Sequence, residues 1–391
     1  MDINQENWGL DTLLCHFGEE EKVKGAVVAP IFQNSLFTFE TMEELLTNMG
    51  QNPGGPPYHY SRVGNPTVEL AERKLAALEG TEGARLFGCG MAAISAAILS
   101  TVEQGSHVVT MDSAYGPTKT FLGSYLKRFG VEVTFVDGRC TEELLDAVRP
   151  ETSLIYLESP SSMLFRVQDV PTIAQHAKSK GIATAIDNTY NSPLYMNPAA
   201  MGVDLVIHSA TKYIGGHSDV TAGVVCGSSE RMDRLTRQEL MFIGSVLHPF
   251  QAWLLLRGLR TLSLRIPRHE STANTVAAWL DDQDAIREVH HLGLLTYPQR
   301  DLVKKMMRGT TGLFSFEPKQ QDPAKIKAFC DALKVFQRGI SWGGFESLVV
   351  ALPLKPADFE TTKWVIRLFT GLEDPKDLIA DLAQALPILE S

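Results

Sequence analysis

The chain has 391 residues, 44% of them hydrophobic, and a formal net charge of −10. That length supports one large core or two moderate ones, so a large domain with a smaller companion is expected and a disordered chain is excluded. The acidic balance speaks against nucleic acid or an anionic membrane as partner, since either rewards a basic surface.

Met1 to Gly25 mixes Asp, Glu, Lys and Asn with isolated apolar residues and lacks the apolar core of a signal peptide. Five scattered cysteines (Cys15, Cys89, Cys140, Cys226, Cys330), without a C-x-x-C pair, predict reduced thiols in a cytoplasmic protein. Glu19-Glu20-Glu21 reads as a solvated acidic face. Residues 1–60, with the turn cluster Asn52-Pro53-Gly54-Gly55-Pro56-Pro57, predict an extended N-terminal arm that packs on a neighbouring subunit. The longest uncharged run, Leu86 to Val102, is short for a bilayer span and reads as a buried strand–turn–helix.

From Ala84 onward, short β-branched runs alternate with amphipathic stretches. Strands are expected at His107–Met111, Val131–Val136, Ser153–Leu157, Ile182–Ile186 and Leu205–Ile207, and helices at Pro117–Arg128, Thr141–Val148 and Pro171–Lys180. Repeated strand–helix units predict an α/β fold whose large domain, 61–255, holds a mostly parallel sheet covered on both faces. Residues 256–391 predict a smaller α+β domain. Its helices are expected at Pro267–Leu280 and Pro375–Ala385, and its strands at Gly312–Phe316, Ser347–Leu352 and Trp364–Phe369.

Two strand ends carry the chemistry. One closes on Asp187; the other runs into Ser209-Ala210-Thr211-Lys212. Ligands of open α/β sheets bind beyond the carboxyl ends of the strands, so Asp187 and Lys212 are expected to face one crevice. An amine that can condense with an aldehyde, and a carboxylate that keeps a pyridine nitrogen protonated, are what pyridoxal chemistry needs. Taken singly, each residue would read as half of an ordinary salt bridge. Gly88-Cys89-Gly90, opening the helix Met91-Ala92-Ala93-Ile94, adds a place for a phosphate at a helix N-terminus. The hydroxyls of Ser209 and Thr211 are natural further donors.

These residues resemble the Cys/Met-metabolism pyridoxal-phosphate-dependent enzymes. The resemblance rests on Tyr60-Ser61-Arg62-Val63-Gly64-Asn65-Pro66-Thr67, Gly90-Met91-Ala92-Ala93, Asp187-Asn188-Thr189, Ser209-Ala210-Thr211-Lys212-Tyr213 and Ser341-Trp342-Gly343-Gly344-Phe345-Glu346-Ser347-Leu348, in family order along nearly the whole chain. It implies the type I, aspartate-aminotransferase-like fold, pyridoxal 5′-phosphate bound covalently at Lys212, and a homotetramer of two dimers with shared active sites. It also implies that Gly90, Met91, Ser209 and Thr211 hold the phosphate, joined by Tyr60 and Arg62 of a neighbouring subunit. Tyr115 would stack on the ring, Asp187 would pair its nitrogen, and Arg367, with Tyr60, Ser341 and Trp342, would bind the substrate.

Within the family the resemblance is nearest to cystathionine β-lyase: tryptophan follows Ser341, apolar Ile340 stands where γ-enzymes place glutamate, and Glu158-Ser159-Pro160-Ser161-Ser162 ends in serine rather than asparagine. Cleavage of cystathionine or a related S-substituted cysteine to thiol, pyruvate and ammonia is therefore expected, with γ-elimination or γ-replacement as the alternative. Cys89 in place of serine, Phe369-Thr370 after the arginine, and a short segment between Leu352 and Lys363 depart from the family pattern near the expected substrate entrance. Two rival classes are weaker. A nicotinamide oxidoreductase lacks the third glycine after Gly90, and a non-catalytic regulator has no need to keep Lys212, Asp187, Tyr115 and Arg367 together. His217, Asp219 and the pair His290-His291 lack metal-ligand spacing, so no metal is expected.

Overall fold

The computed structural model describes residues 8–20, 22–49, 55–355 and 360–390. Two sheets organise it. The larger is built from β1 (Gly83–Phe87), β2 (His107–Met111), β3 (Glu132–Val136), β4 (Thr152–Glu158), β5 (Ala183–Asp187), β6 (Leu205–His208) and β7 (Gly223–Gly227). Its order is β1-β7-β6-β5-β4-β2-β3. Strand β7 runs antiparallel to both neighbours and the remaining pairs are parallel, the mixed sheet of a type I fold.

Continuous apolar runs explain why these strands are central: Leu154, Ile155, Tyr156 and Leu157 of β4 are all fully buried, as a strand covered on both faces requires. Alternate residues enter different cores. Ile186, Val206 and Val224 pack with Leu70 and Leu75 of the helix Pro66–Glu79. Ala185, Ile207 and Val225 pack with Ala93, Ile94 and Ala97 of the helix Gly90–Leu99. The first of these helices is delimited by its own sequence, with Asn65 accepting from Thr67 N–H at 3.0 Å at the start and left-handed Gly80 at the end.

The smaller sheet contains β8 (Ile286–His290), β9 (Leu313–Pro318), β10 (Gln337–Arg338), β11 (Leu348–Leu354) and β12 (Lys363–Phe369), in the order β10-β11-β12-β9-β8. Phe314, Phe316, Phe329 and Phe336 fill its core. Among the described residues no helix is long and apolar enough to cross a membrane.

Three expectations change. The helix expected from Pro267 begins earlier and spans Leu262–Asp281 with Pro267 inside. Tertiary anchoring outweighs the lost proline N–H: buried Arg265 donates to the carbonyls of Tyr213 and Gly258, both at 2.8 Å, and Leu262 and Ile266 are fully buried. The stretch expected as one helix over Pro117–Arg128 is helical at Gly116–Thr120, widens at Phe121–Tyr125 and tightens at Leu126–Phe129. Glu19 is not on a solvated acidic face. It is buried, pairing Lys74 Nζ at 2.7 Å and Arg260 Nη2 at 2.8 Å.

That network ties the start of the chain to the main domain, beside the helix Leu10–His16 whose Leu14 is fully buried. Glu21 and residues 52–54 of the turn cluster lie outside the described residues, as do 356–359 of the short segment before Lys363. Glu19→Ala leaves the Lys74 ammonium, 0% exposed, without its carboxylate. The expected loss is about 3–5 kcal/mol, read as a lower urea midpoint.

Candidate active site

The carboxyl ends of β4, β5 and β6 converge on a cavity of about 310 Å³ lined by Glu158, Asp187, Lys212, Tyr115, Trp342 and Arg367 among others. Asp187 ends β5 directly opposite Glu158 at the end of β4. Its Oδ1 accepts the backbone N–H of Thr189 at 3.0 Å and, more closely, the Thr189 hydroxyl. Burial raises the Asp187 pKa, while the Thr189 hydrogen bonds, His208 and Lys212 oppose that rise.

Lys212 follows β6 on the loop that turns toward β7. Its Nζ donates to Ser341 Oγ at 2.6 Å and lies 5.6 Å from the centre of the Trp342 ring. Burial, and then the Arg367 guanidinium, push its pKa down to about 8 against the opposing pull of Asp187. The amine is therefore a proton carrier near neutrality rather than a fixed ammonium. The segment carrying Ser341 and Trp342 reaches the lysine because Gly343 sits at φ +90°, where an added Cβ would come within 2.8 Å of the Lys212 backbone.

Arg367, on β12, donates through Nη2 to the carbonyl of Ile340 at 2.6 Å. Burial lowers its pKa to about 10, so it stays a cation at neutral pH. Tyr115 is 43% exposed at the cavity, with its hydroxyl pKa raised by burial, Asp187 and Glu158.

Opposite the lysine, Cys89 caps the helix Gly90–Leu99, its Sγ accepting the Ala92 N–H at 3.4 Å. Gly90 and Met91 supply the first backbone N–H groups, which have no partner within a helix. A Cβ on Gly90 would stand 2.7 Å from Ser209 Oγ. Only glycine lets this helix end come so close to the lysine segment. Positive helix end, amine, carboxylate and aromatic face together match the phosphate, aldehyde, ring nitrogen and ring of pyridoxal phosphate. The residues fit the group.

Of the residues singled out from sequence, Gly90, Met91, Tyr115, Asp187, Ser209, Thr211, Lys212, Trp342 and Arg367 line the one cavity, and Ser341 touches Lys212. The Thr211 hydroxyl donates to the Ala222 carbonyl and accepts the Ala222 N–H, at 3.1 and 2.9 Å, which fastens the loop to the start of β7. Tyr60 and Arg62 are not brought to the cavity of their own chain. Arg62 donates to the Met241 carbonyl at 2.8 Å and lies over the Tyr60 ring.

Glu158, Thr189, Met163 and Leu313 also line the cavity, and none of them carries a local sequence signature of a functional residue. The alignment of β4 with β5 would have pointed to Glu158, because it places that residue beside Asp187. Elsewhere, Glu288, His290 and Glu317 gather on the smaller sheet, where the Lys363 ammonium stands 3.4 Å from Glu317. His291, adjacent in sequence, is buried and pushed down to about 4.

Residues 11–387 match the family described as Cys/Met metabolism PLP-dependent enzymes. An L-methionine gamma-lyase of Pseudomonas putida is 36% identical over 97% of each chain. A putative cystathionine beta-lyase of Rhizobium johnstonii is 36% identical over 96% of each chain. A cystathionine gamma-lyase of Bacillus subtilis is 36% identical over 96% of this chain and 98% of its own. Among solved structures, metB from Corynebacterium glutamicum superposes with a TM-score of 0.90 at 32% identity, covering 99% of this chain and all of that one.

Proposed function

As this chain belongs to the Cys/Met metabolism PLP-dependent enzymes, we propose that it is a carbon–sulfur β-lyase cleaving cystathionine or a related S-substituted cysteine to a thiol, pyruvate and ammonia. Bound pyridoxal phosphate supplies the electron sink that stabilises negative charge at the substrate Cα. Lys212 carries it. Gly90, Met91, Ser209 and Thr211, which line the cavity with Lys212, would hold the cofactor's phosphate, Asp187 would pair with its ring nitrogen and Tyr115 would stack on its ring.

The chain's own groups then handle substrate and protons. Arg367 binds the substrate carboxylate through its planar fork, with Ser341 and Trp342 as neighbouring wall. Once the substrate's own amine has taken its place, the freed neutral amine of Lys212, which contacts Ser341 Oγ at 2.6 Å, takes the Cα proton and returns a proton to the departing sulfur. Tyr60 and Arg62, remote from their own cavity, serve the cavity of a neighbouring subunit in a homotetramer. Five free cysteines suit a cytoplasmic location.

The observation that carries the β-assignment is the wall Ile340-Ser341-Trp342. Ile340 is 83% exposed beside the cavity it lines, and its apolar side chain offers no acid or charged group for γ-chemistry. The relatives named methionine gamma-lyase and cystathionine gamma-lyase carry the second reading, elimination at Cγ. Incubation of the holoenzyme with L-cystathionine separates the two through the keto acid released. Pyruvate is expected; 2-oxobutyrate would overturn the β-assignment in favour of γ-elimination.

A further inference from the structure

Glu158 stands beside the catalytic groups without a part in the chemistry above. It ends β4 in register with Asp187 on the adjacent parallel strand, and both carboxylates are buried, at 6% and 9% exposure. Glu158 Oε2 accepts the backbone N–H of Tyr115 at 2.7 Å. Among the described residues neither carboxylate has a Lys, Arg or His partner within ion-pair distance. Two like charges side by side in a buried site cannot both ionise cheaply near neutral pH.

We propose that Glu158 is a positioning residue: its side chain fixes Tyr115 at the cavity and holds a proton beside Asp187, leaving Asp187 as the anion of the pair. The surroundings assign the proton to Glu158. Asp187 is tied by two hydrogen bonds from Thr189 and feels the charges of His208 and Lys212. Glu158 is pushed up to about 7 by burial and then by Asp187, with only hydrogen bonds from Ser162 and the Tyr115 N–H in opposition. The other titratable groups facing the pair are Tyr115 and Tyr156, both raised by burial and by the two carboxylates, so they stay neutral phenols. Arg367 and Lys212 complete the charged set, Arg367 acting on Tyr115 and on Lys212.

Below neutrality Glu158 is neutral and Asp187 carries one negative charge. Above it a second negative charge appears beside Asp187, raising the cost of ionising Asp187 and favouring any cation held against it.

The inference rests on the cofactor reading only in what Asp187 faces; the proton on Glu158 is observable without it. Infrared difference spectra of the holoenzyme across neutral pH should show loss of a protonated carboxyl band that is absent in Glu158→Gln. Persistence of that band in Glu158→Gln would overturn the proposal. The positioning half is read from circular dichroism in the absorption band of the bound cofactor. Glu158→Gln, whose amide oxygen can accept the same N–H, should retain the signal, and Glu158→Ala should lose most of it. A wild-type signal in Glu158→Ala, or equal loss in both variants with far-ultraviolet spectra unchanged, would equally overturn it. The infrared readout fails separately from the cofactor reading, which stands or falls on Lys212; the dichroism comparison is made against a wild type that shows the cofactor band, and absence of that band in the wild type counts against the cofactor reading alone.

Discussion

Replacing Lys212 by alanine is expected to remove covalent attachment of the cofactor and to lower turnover on the order of ten-thousandfold or more, because one side chain serves as both attachment point and proton carrier. The protein should still fold. Lys212 lies on a loop, and among the described residues its Nζ makes one hydrogen bond, to Ser341, at 2.6 Å. Lys212→Arg should be nearly as damaging, since a guanidinium stays protonated and cannot take a proton from carbon. The pH profile of the wild type follows from the same residue. With the Lys212 amine held down to about 8 by burial and Arg367, the proton-accepting form grows as pH rises toward that value, and turnover limited by proton abstraction should climb with it. Single-turnover measurements over a pH series, with the cofactor spectrum followed in parallel, check the expectation. Full activity in Lys212→Ala would remove the proposed chemistry altogether.

Arg367→Lys is expected to reduce kcat/KM on the order of a hundredfold, about 3 kcal/mol, with most of the effect in KM. Two features set that magnitude. The guanidinium is a cation in a partly buried wall, and its planar fork can meet both oxygens of a carboxylate where an ammonium meets one. Its Nη2 is also anchored to the Ile340 carbonyl at 2.6 Å, which fixes the fork's direction. Lysine would keep the charge and lose both the anchor geometry and the second contact. An unchanged KM would mean that the substrate carboxylate is bound elsewhere, and Arg367 would then be a structural cation of the small sheet.

Much of this site was legible in the sequence because its elements are local. Asp187 closes a short apolar run, Lys212 follows another by a few residues, and Gly90 opens a small-residue helix after a strand. Each signal spans fewer than about a dozen residues, the scale on which periodicity and turn chemistry operate. The parts that escaped depend on distant pairing. Glu158 gained significance only when β4 lay beside β5 and placed it next to Asp187.

Glu19 looked solvent-facing within its acidic triplet. Its burial depends on Lys74 and Arg260, which the fold brings to it from far along the chain. Pro267 read as a helix start for the same reason: the contacts of Arg265 that carry the helix through it lie with Tyr213 and Gly258. Strand β8 was missed because its pattern, Ile-Arg-Glu-Val-His, buries only Ile286 and Val289 fully and gives no clean alternation.

The most direct measurement is chemical. Reduction of the holoenzyme with borohydride makes the cofactor–lysine bond permanent, and peptide mass mapping then locates it. The expected result is a single modified peptide containing Ser209-Ala210-Thr211-Lys212, with the added mass on Lys212. Modification at any other lysine, or none, would contradict the assignment of Lys212 and with it the arrangement of Asp187, Ser341 and Arg367 around that amine.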